Sequence, residues 1–232
     1  MKHLTWGLVM ATGKTEKIAA GIETGFLYLN DRPVLAYSLA AFMQSPEIDG
    51  IVICIPRERA ESVLGMVQLY GFSKVRKIVA GSAKRAASMA AALAHVDDEA
   101  EWICVHDASR LLLSPDAVSA SVKCAHRYGS GVAGVPMDER MVTARKGVFA
   151  QEPENAGEFW AVRSPQTWPA EALRKAYPAS AKARIKNYEE DWPAMVDQGI
   201  LPHLVHTADT FRIRDADDLT PALSWMQHGG GI

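Results

Sequence analysis

The sequence is poor in features that mark several protein classes. Its 232 residues include only three cysteines, which lie far apart, without zinc-ligand spacing or the even number of a disulfide framework. No apolar run approaches the length of a membrane span, and the first residues lack the apolar core of a signal peptide. A formal net charge of -2 argues against a nucleic-acid or anionic membrane surface. We therefore expect a cytoplasmic protein with reduced core cysteines that binds neither nucleic acid nor membrane.

Several motifs of familiar chemistry are also absent. The loop after the first strand is neither a Walker A loop nor a G-x-G-x-x-G fingerprint, and the chain has no H-E-x-x-H motif and no nucleophile elbow of a serine hydrolase. A dehydrogenase stays a weaker alternative, because strand and helix patterns alternate as they do in dinucleotide-binding folds. The absence of a G-x-G-x-x-G fingerprint after the first strand weighs against it, and a reductase assay with NADPH would test it.

Strand and helix patterns alternate over the first 136 residues. Short apolar runs predict strands at 5–10, 48–56, 75–79, 102–106 and 131–136. Helical spacing of apolar residues predicts helices at 34–43, 58–70, 86–94 and 115–128. This alternation predicts an α/β fold with a mostly parallel sheet, right-handed crossovers and helices on both faces.

The pattern changes after residue 136. Residues 141–150 predict a β-hairpin around 145–147, which would cover a site, pair with another subunit or form a surface flap. Further elements are expected as a short strand at 159–166, helices at 169–177 and 187–198, short strands at 202–206 and 211–213, and a last helix to about 226. No repeat or linker divides the chain, so we predict a single domain over residues 1–232, with 137–158 as a distinct subregion.

The stretch at 101–113 carries the strongest chemical signal. Its strand ends at Asp107, and Arg110 follows three residues later. Ligands bind beyond the carboxyl ends of strands in open α/β sheets, where a carboxylate can hold a divalent metal and an arginine can bind a phosphate or a carboxylate. The alternative is a structural Asp–Arg pair at a strand end. His106 is expected to be a packed, hydrogen-bonded histidine.

Two loops of small residues should lie at the same edge of the sheet. The first, Met10 to Lys17, follows the first strand, and the second, Gly81 to Ser88, precedes an alanine-rich helix. Such loops let backbone N–H groups approach phosphates, and a helix N-terminus suits an anion. Together with Lys17, Arg85, Arg110 and Asp107, these loops provide groups suited to bind a nucleoside triphosphate and a magnesium ion.

The octapeptide Ile103-Cys104-Val105-His106-Asp107-Ala108-Ser109-Arg110 resembles the signature of the 2-C-methyl-D-erythritol 4-phosphate cytidylyltransferases and their ribitol-phosphate relatives. The resemblance covers nearly the whole chain. Supporting segments in family order are Arg32-Pro33-Val34-Leu35, Gly81-x-x-x-Arg85-x-x-Ser88, Ser164-Pro165-Gln166 and Asp217-Asp218-Leu219.

This resemblance implies a fold and a reaction. The fold would be a Rossmann-like nucleotidyltransferase domain, in which residues 137–158 form a protruding β-arm that makes a homodimer. The enzyme would transfer CMP from CTP to a polyol phosphate and release pyrophosphate, with Mg2+ as cofactor, in the isoprenoid precursor pathway. Positioning and electrostatics would carry the catalysis, as in phosphoryl transfer generally.

The resemblance also implies roles for individual residues. Lys17 and Asp107 would act in catalysis, with Asp107 as the metal ligand. The nucleotide would be bound by Met10, Ala11, Thr12, Gly13, Gly81, Arg85, Ser88 and Arg212. The acceptor substrate would be contacted by Arg110, Arg140, Ser164 and Asp191.

Some positions depart from the family pattern. Thr24 stands where the family has a catalytic lysine, Thr15 replaces a glycine of the nucleotide loop, and Ala156 replaces an arginine of the arm. Two alternatives therefore accompany the leading hypothesis. One is a catalytically impaired homologue that binds nucleotide or a partner, and the other is an enzyme for a different sugar or polyol phosphate.

Overall fold

The computed structural model describes residues 3–12, 23–139, 141–145, 148–151, 159–179, 188–207 and 211–228. The strands are β1 (Thr5–Met10), β2 (Tyr28–Leu29), β3 (Arg32–Pro33), β4 (Gly50–Ile55), β5 (Val75–Ala80), β6 (Trp102–Asp107), β7 (Arg110–Leu111), β8 (Gly131–Pro136), β9 (Thr143–Arg145), β10 (Val148–Gln151), β11 (Trp160–Pro169), β12 (Leu204–His206) and β13 (Phe211–Arg212). The helices are α1 (Val34–Gln44), α2 (Ala60–Leu69), α3 (Arg85–Leu93), α4 (Pro115–Tyr128), α5 (Ala170–Ala176), α6 (Asp191–Val196) and α7 (Leu219–His228), and 3₁₀ turns lie at Thr24–Phe26 and Arg57–Arg59.

A seven-stranded sheet in the order β12-β8-β11-β6-β1-β4-β5 organises the fold. Neighbouring strands from β6 to β5 are parallel, as predicted from the alternation. β11 runs antiparallel between β6 and β8, so the fifth predicted strand does not pair with the fourth. The predicted short strand at 159–166 is thus a ten-residue strand inside the sheet. Its last half is buried because it pairs with a strand on either side.

Helices cover both faces of the sheet, as predicted. On one face, α3, α5 and α6 contribute the buried side chains of Met89, Leu173 and Met195 to one core cluster. On the other face, α1, α2 and α4 pack the second cluster, to which Leu39 and Val122 belong. Each of these five side chains is completely shielded from water, so the sheet is enclosed between two apolar layers as in doubly wound α/β domains.

Helix α4 shows how local signals set the bounds of an element. Ser114 is its N-cap, and its side chain accepts a hydrogen bond from the Ala117 N–H. Pro115 occupies the first turn, and Gly129 ends the helix with a φ of 90°. These are the residues that favour a helix start and a left-handed C-terminal cap. The predicted range, 115–128, is confirmed.

Helix α6 is shorter than predicted. The sequence pattern predicted a helix over 187–198, whereas the structure has a helix only over Asp191–Val196. Glu190 is extended, with φ -129° and ψ 160°. The chain therefore bends before the helix and turns Glu190 and Asp191 toward the sheet, which helical periodicity alone does not reveal.

The remaining structural expectations concern the arm, the cysteines and the membrane. β9 and β10 pair as an antiparallel hairpin, which confirms the hairpin predicted at 141–150. Cys54 and Cys104 are buried free thiols, and burial raises the pKa of each to about 12, as expected for core cysteines. Among the described helices, none has the length and apolar character to cross a membrane.

Candidate active site

The carboxyl ends of β1 and β6 meet where the strand order reverses. From β1 the chain passes to β4 and β5 on one side, and β6 then lies on the other side of β1. Met10 lies opposite Asp107 in the parallel register, and the Ala108 N–H donates to the Met10 carbonyl at 2.8 Å. Open α/β sheets bind ligands in the crevice beyond such a switch point. Asp107 is therefore placed at the entrance of a ligand crevice.

The two small-residue loops are fastened to each other beside this crevice. Thr12 Oγ1 donates to the Ser82 carbonyl at 2.7 Å. Ser88 Oγ accepts from the Ser82 N–H at 2.9 Å and donates to the Ser82 carbonyl at 3.0 Å. A Cβ on Gly81 would lie 2.6 Å from Thr12 Cγ2 and 2.7 Å from Cys54 Sγ. The close contact between the loops therefore requires glycine at position 81.

Arg85, the first residue of α3, joins two buried carboxylates. Its Nη1 donates to Asp107 Oδ1 at 2.8 Å, and its Nε and Nη2 donate to the two oxygens of Asp191 at 3.1 and 2.6 Å. Tyr177 OH donates to Asp191 Oδ1 at 2.9 Å. The bidentate Arg85–Asp191 pair holds the guanidinium in one orientation. It thereby ties the second loop to the end of β6.

The buried charges of Arg85 and Asp107 stabilise each other. Burial by itself would raise the pKa of Asp107, but Arg85, then Arg212 and Arg110, hold it well below its ordinary range. Burial would likewise lower the pKa of Arg85, but Asp107 and Asp191 keep it above the ordinary value. Asp107 is therefore ionised at physiological pH, as a metal ligand must be.

A chain of three hydrogen bonds runs behind Asp107. The Asp107 N–H donates to Ser164 Oγ at 3.2 Å, and Ser164 Oγ lies 2.9 Å from His106 Nδ1. His106 Nε2 lies 3.3 Å from the Arg110 carbonyl, so this nitrogen carries the hydrogen and Nδ1 accepts from Ser164. His106 is fully buried, and burial lowers its pKa to about 4. The prediction of a packed, hydrogen-bonded histidine is confirmed.

Arg110 is a buried guanidinium with hydrogen-bonding capacity to spare. It is 5% exposed, and its Nε and Nη1 have no hydrogen-bond partner within the described part of the chain. Burial lowers its pKa, which Asp107 and Glu190 oppose and Arg212 and Arg163 reinforce. Buried N–H groups without acceptors are rare in native proteins. An anionic ligand such as a phosphate would satisfy them with charge-assisted hydrogen bonds.

Most of the residues predicted for the site converge at this edge. They are Met10, Ala11, Thr12, Gly81, Arg85, Ser88, Asp107, Arg110, Ser164, Asp191 and Arg212. The Met10 side chain is completely buried in the core, so position 10 faces the crevice with its backbone. Gly13, Lys17 and Arg140 lie outside the described residues, and their roles stay predictions.

The fold brings three further residues to the site, Tyr177, Glu190 and Arg163, for which the sequence motifs predict no role. Tyr177 supports Asp191. Glu190 accepts a hydrogen bond from Gln166 Nε2 at 3.4 Å, and burial together with Asp107 raises its pKa. Arg163 interacts electrostatically with Arg110. For two of them the sequence offered a signal, namely a position next to a recognised residue or segment. Arg163 directly precedes the Ser-Pro-Gln segment, and Glu190 precedes Asp191.

Position 24 lies close to the crevice without a charge. Thr24 is completely buried, and its Oγ1 has no hydrogen-bond partner among the described residues. A Cβ on the neighbouring Gly25 would lie 3.4 Å from Ala11 Cβ and 3.5 Å from Ala108 Cβ. The 3₁₀ turn at Thr24–Phe26 therefore packs directly against the ends of β1 and β6.

Comparison with known proteins identifies the family of the chain. The sequence model of 2-C-methyl-D-erythritol 4-phosphate cytidylyltransferase, IspD, matches residues 6–228. The chain belongs to this family. Among curated cytidylyltransferases of the family, the protein from Syntrophotalea carbinolica is 30% identical over 185 residues, 79% of each chain. The cytidylyltransferase from Dehalococcoides mccartyi is 30% identical over 170 residues, 73% of this chain and 74% of the relative.

Solved structures of cytidylyltransferases share the fold. A 4-diphosphocytidyl-2C-methyl-D-erythritol synthase from Anaerococcus prevotii superposes with a TM-score of 0.83 at 17% identity, covering 98% of this chain and 97% of the other. The Thermus thermophilus cytidylyltransferase gives a TM-score of 0.74 at 21% identity, covering 95% and 98%. These likenesses confirm the predicted Rossmann-like nucleotidyltransferase fold.

Proposed function

We propose that this chain transfers the cytidylyl group of CTP to 2-C-methyl-D-erythritol 4-phosphate and releases pyrophosphate, a step of isoprenoid precursor synthesis. Family membership supports the reaction. The observation that carries the proposal is the arrangement at the switch point, where ionised Asp107, paired with Arg85, lies beside buried Arg110. A negative and several positive groups in one water-poor crevice suit a reaction between two phosphates.

The donor set at Asp107 fits a magnesium ion that is held mainly by its substrates. The carboxylate is buried and ionised, and magnesium is commonly bound by one or two carboxylates together with substrate phosphates. Within the described ranges, no group of three or more His, Cys, Asp or Glu side chains could form a metal cage. When bound, the ion would neutralise charge on the phosphate oxygens, and Asp107 is the residue that would hold it.

The reaction asks the protein mainly to orient two anions. A phosphate oxygen of the acceptor attacks the α-phosphorus of CTP, a new P–O bond forms, and the bond to the β-phosphate oxygen breaks to release pyrophosphate. The loops fastened through Thr12, Ser82 and Ser88 would hold the nucleotide. Arg110 and Arg212 would hold phosphate oxygens, because adjacent β7 and β13 bring them side by side. Fixed positive charges stabilise the charge that develops during transfer.

A homodimer and a cytoplasmic location form part of this proposal. The β9–β10 hairpin is separated from the central sheet, and the apolar side chains of Met137, Met141, Val142 and Phe159 near its base are 37–43% exposed. Neighbouring exposed apolar side chains favour a protein–protein contact, so we infer dimerisation through residues 137–158. Free buried cysteines accord with a reducing compartment.

The test is pyrophosphate release from CTP, magnesium and 2-C-methyl-D-erythritol 4-phosphate, followed with a coupled pyrophosphatase. The acceptor panel includes ribitol 5-phosphate and other sugar phosphates, and the nucleotide panel includes the other triphosphates. Turnover that disappears in Asp107→Asn but persists in Asp116→Asn, an exposed position in the first turn of α4, is the expected result. CTP binding by calorimetry without turnover on any acceptor would instead identify a binding homologue.

A further inference from the structure

Arg163 lies at the end of β6, on the opposite side from the nucleotide loops. In the antiparallel register, Gln166 of β11 pairs with Val105 of β6. Two residues further along β6, the Asp107 N–H donates to Ser164 Oγ. Arg163 is the next residue of β11, just beyond the carboxyl end of β6. The register of β11 against β8 shifts between Val162 and Gln166. Such irregularities re-aim side chains next to active sites.

The charges around Arg110, to which Arg163 contributes, suit an anion. Arg163 and Arg212 both interact electrostatically with the buried Arg110. Arg85 is already balanced by its two carboxylates, and Glu190 interacts with Arg110. Guanidinium groups repel one another when they are desolvated together. A multiply charged anion would offset this repulsion and would accept hydrogen bonds from the two Arg110 nitrogens that have no partner among the described residues.

The strand order indicates which anion would bind beside Arg110 and Arg163. The loops that follow β1 and β5 lie on the β1-β4-β5 side of Asp107, whereas β11 lies on the other side of β6. In the proposed reaction, the nucleotide occupies the first side. An anion held by residues of β11 and β7 is therefore the phosphate of the acceptor.

We propose that Arg163 binds the phosphate of the acceptor, together with Arg110, and so contributes to acceptor specificity. The inference rests on the proposed function, because it takes the nucleotide side from it. The ligand class is a phosphate monoester, whose dianion matches clustered guanidinium groups better than a neutral polyol does. Gln166 Nε2 donates to the Arg163 carbonyl at 3.1 Å, which fixes the backbone from which the side chain extends.

The kinetic test compares Arg163→Gln and Arg163→Lys with Arg76→Gln, which removes an exposed arginine of β5 at the far edge of the sheet. Loss of a charged hydrogen bond predicts a rise of about 10- to 100-fold in the acceptor KM for Arg163→Gln. The CTP KM should change less than about threefold, and Arg163→Lys should recover part of the loss because it keeps the charge. A rise confined to the CTP KM, or equal behaviour of Arg163→Gln and Arg76→Gln, would overturn the assignment.

A second arm needs no turnover. With CTP present, inorganic phosphate is titrated while the unfolding temperature is recorded, and erythritol serves as the uncharged probe. Phosphate should stabilise the wild type and Arg76→Gln at concentrations roughly tenfold lower than Arg163→Gln, and erythritol should not discriminate among them. If no acceptor is turned over by the wild type, the reaction proposal fails, and this titration still decides whether Arg163 binds phosphate. Equal phosphate stabilisation of all three proteins rejects it.

Discussion

At the scale of single residues, the site depends on two small side groups that work in different ways. Gly81 permits close packing, since a Cβ there would come within 3 Å of Thr12, Cys54 and Ser88. Ser164 uses its hydroxyl to link the backbone of Asp107 to the ring of His106. Neither residue carries a charge, yet Gly81 lets the two loops pack together and Ser164 helps to position Asp107.

Replacing Gly81 by Ala should loosen the two loops. The added methyl group forces a shift of close neighbours, which costs about 1–3 kcal/mol in the free energy of unfolding, and weakens CTP binding. Gly65→Ala is the matched control, because Gly65 lies inside α2 with no atom within 4 Å of the added Cβ. That change should stabilise the protein by about 0.5–1 kcal/mol. Urea unfolding and calorimetry with CTP measure both effects, and a fully stable Gly81→Ala protein would contradict the packing argument.

Replacing Ser164 by Ala should slow the reaction without removing a charge. The Asp107 N–H and His106 Nδ1 lose their partner, which costs about 1–3 kcal/mol of stability. Displacement of Asp107 should lower kcat by roughly 10- to 100-fold. Ser62→Ala, which removes an exposed hydroxyl bonded to the Arg59 carbonyl, should leave both quantities unchanged. An unchanged kcat in Ser164→Ala would show that the chain behind Asp107 does not position it.

At the scale of elements, local and non-local signals divide the fold. β1 and α4 were predicted with their observed bounds, because their signals lie in neighbouring residues: a short apolar run for β1, and a Ser-Pro start with a Gly end for α4. The place of β11 was not predictable, since its partners β6 and β8 precede it in sequence and only their spacing in three dimensions admits it. The same limit applies to the site. Asp107, Arg85 and Arg110 follow from strand ends and loops, whereas Arg163 depends on the register of β11.

The carboxylate of Glu47 links helices α1 and α4 on one face of the sheet, and its titration can be followed. Glu47, in the turn after α1, accepts hydrogen bonds from Ser45 and from Ser119 of α4, and it pairs with Lys123 at 3.1 Å. Burial would raise its pKa, but the hydrogen bonds from Ser119, Lys123 and Ser45 bring it below the ordinary value. A carboxylate with a lowered folded pKa stabilises the protein above its ordinary pKa, and this stability is lost as the pH falls through the folded value.

Replacing Glu47 by Gln should therefore cost about 1–2 kcal/mol at pH 7 and flatten the loss of stability below about pH 4.5. Glu61→Gln, at an exposed position of α2, serves as the control and should reproduce the wild-type curve. Urea unfolding at a series of pH values measures the difference. A Glu47→Gln curve parallel to that of the wild type at acid pH would refute the linkage.

At the scale of the whole molecule, the proposed dimer predicts that charge at the base of the arm disrupts assembly. Val142, 43% exposed, is replaced by Asp, which should convert a dimer into a monomer in sedimentation because a desolvated charge opposes association. Leu69→Asp, at a 78% exposed position of α2, is the control and should sediment as the wild type does. A monomeric wild-type protein, or a dimeric Val142→Asp protein, would contradict dimerisation through the arm.

The antiparallel strand in the middle of the sheet also has a consequence for synthesis of the chain on the ribosome. β6 and β8 are both made before β11, and each keeps an unpaired backbone edge until residues 160–169 emerge. Unpaired strand edges favour association with other chains, so nascent or truncated chains that end before β11 should aggregate. Insertion of β11 joins β8 to β6 and brings Ser164 against Asp107. Asp191 and Arg212 come later in the chain, so the crevice is completed only after β11 has joined the sheet.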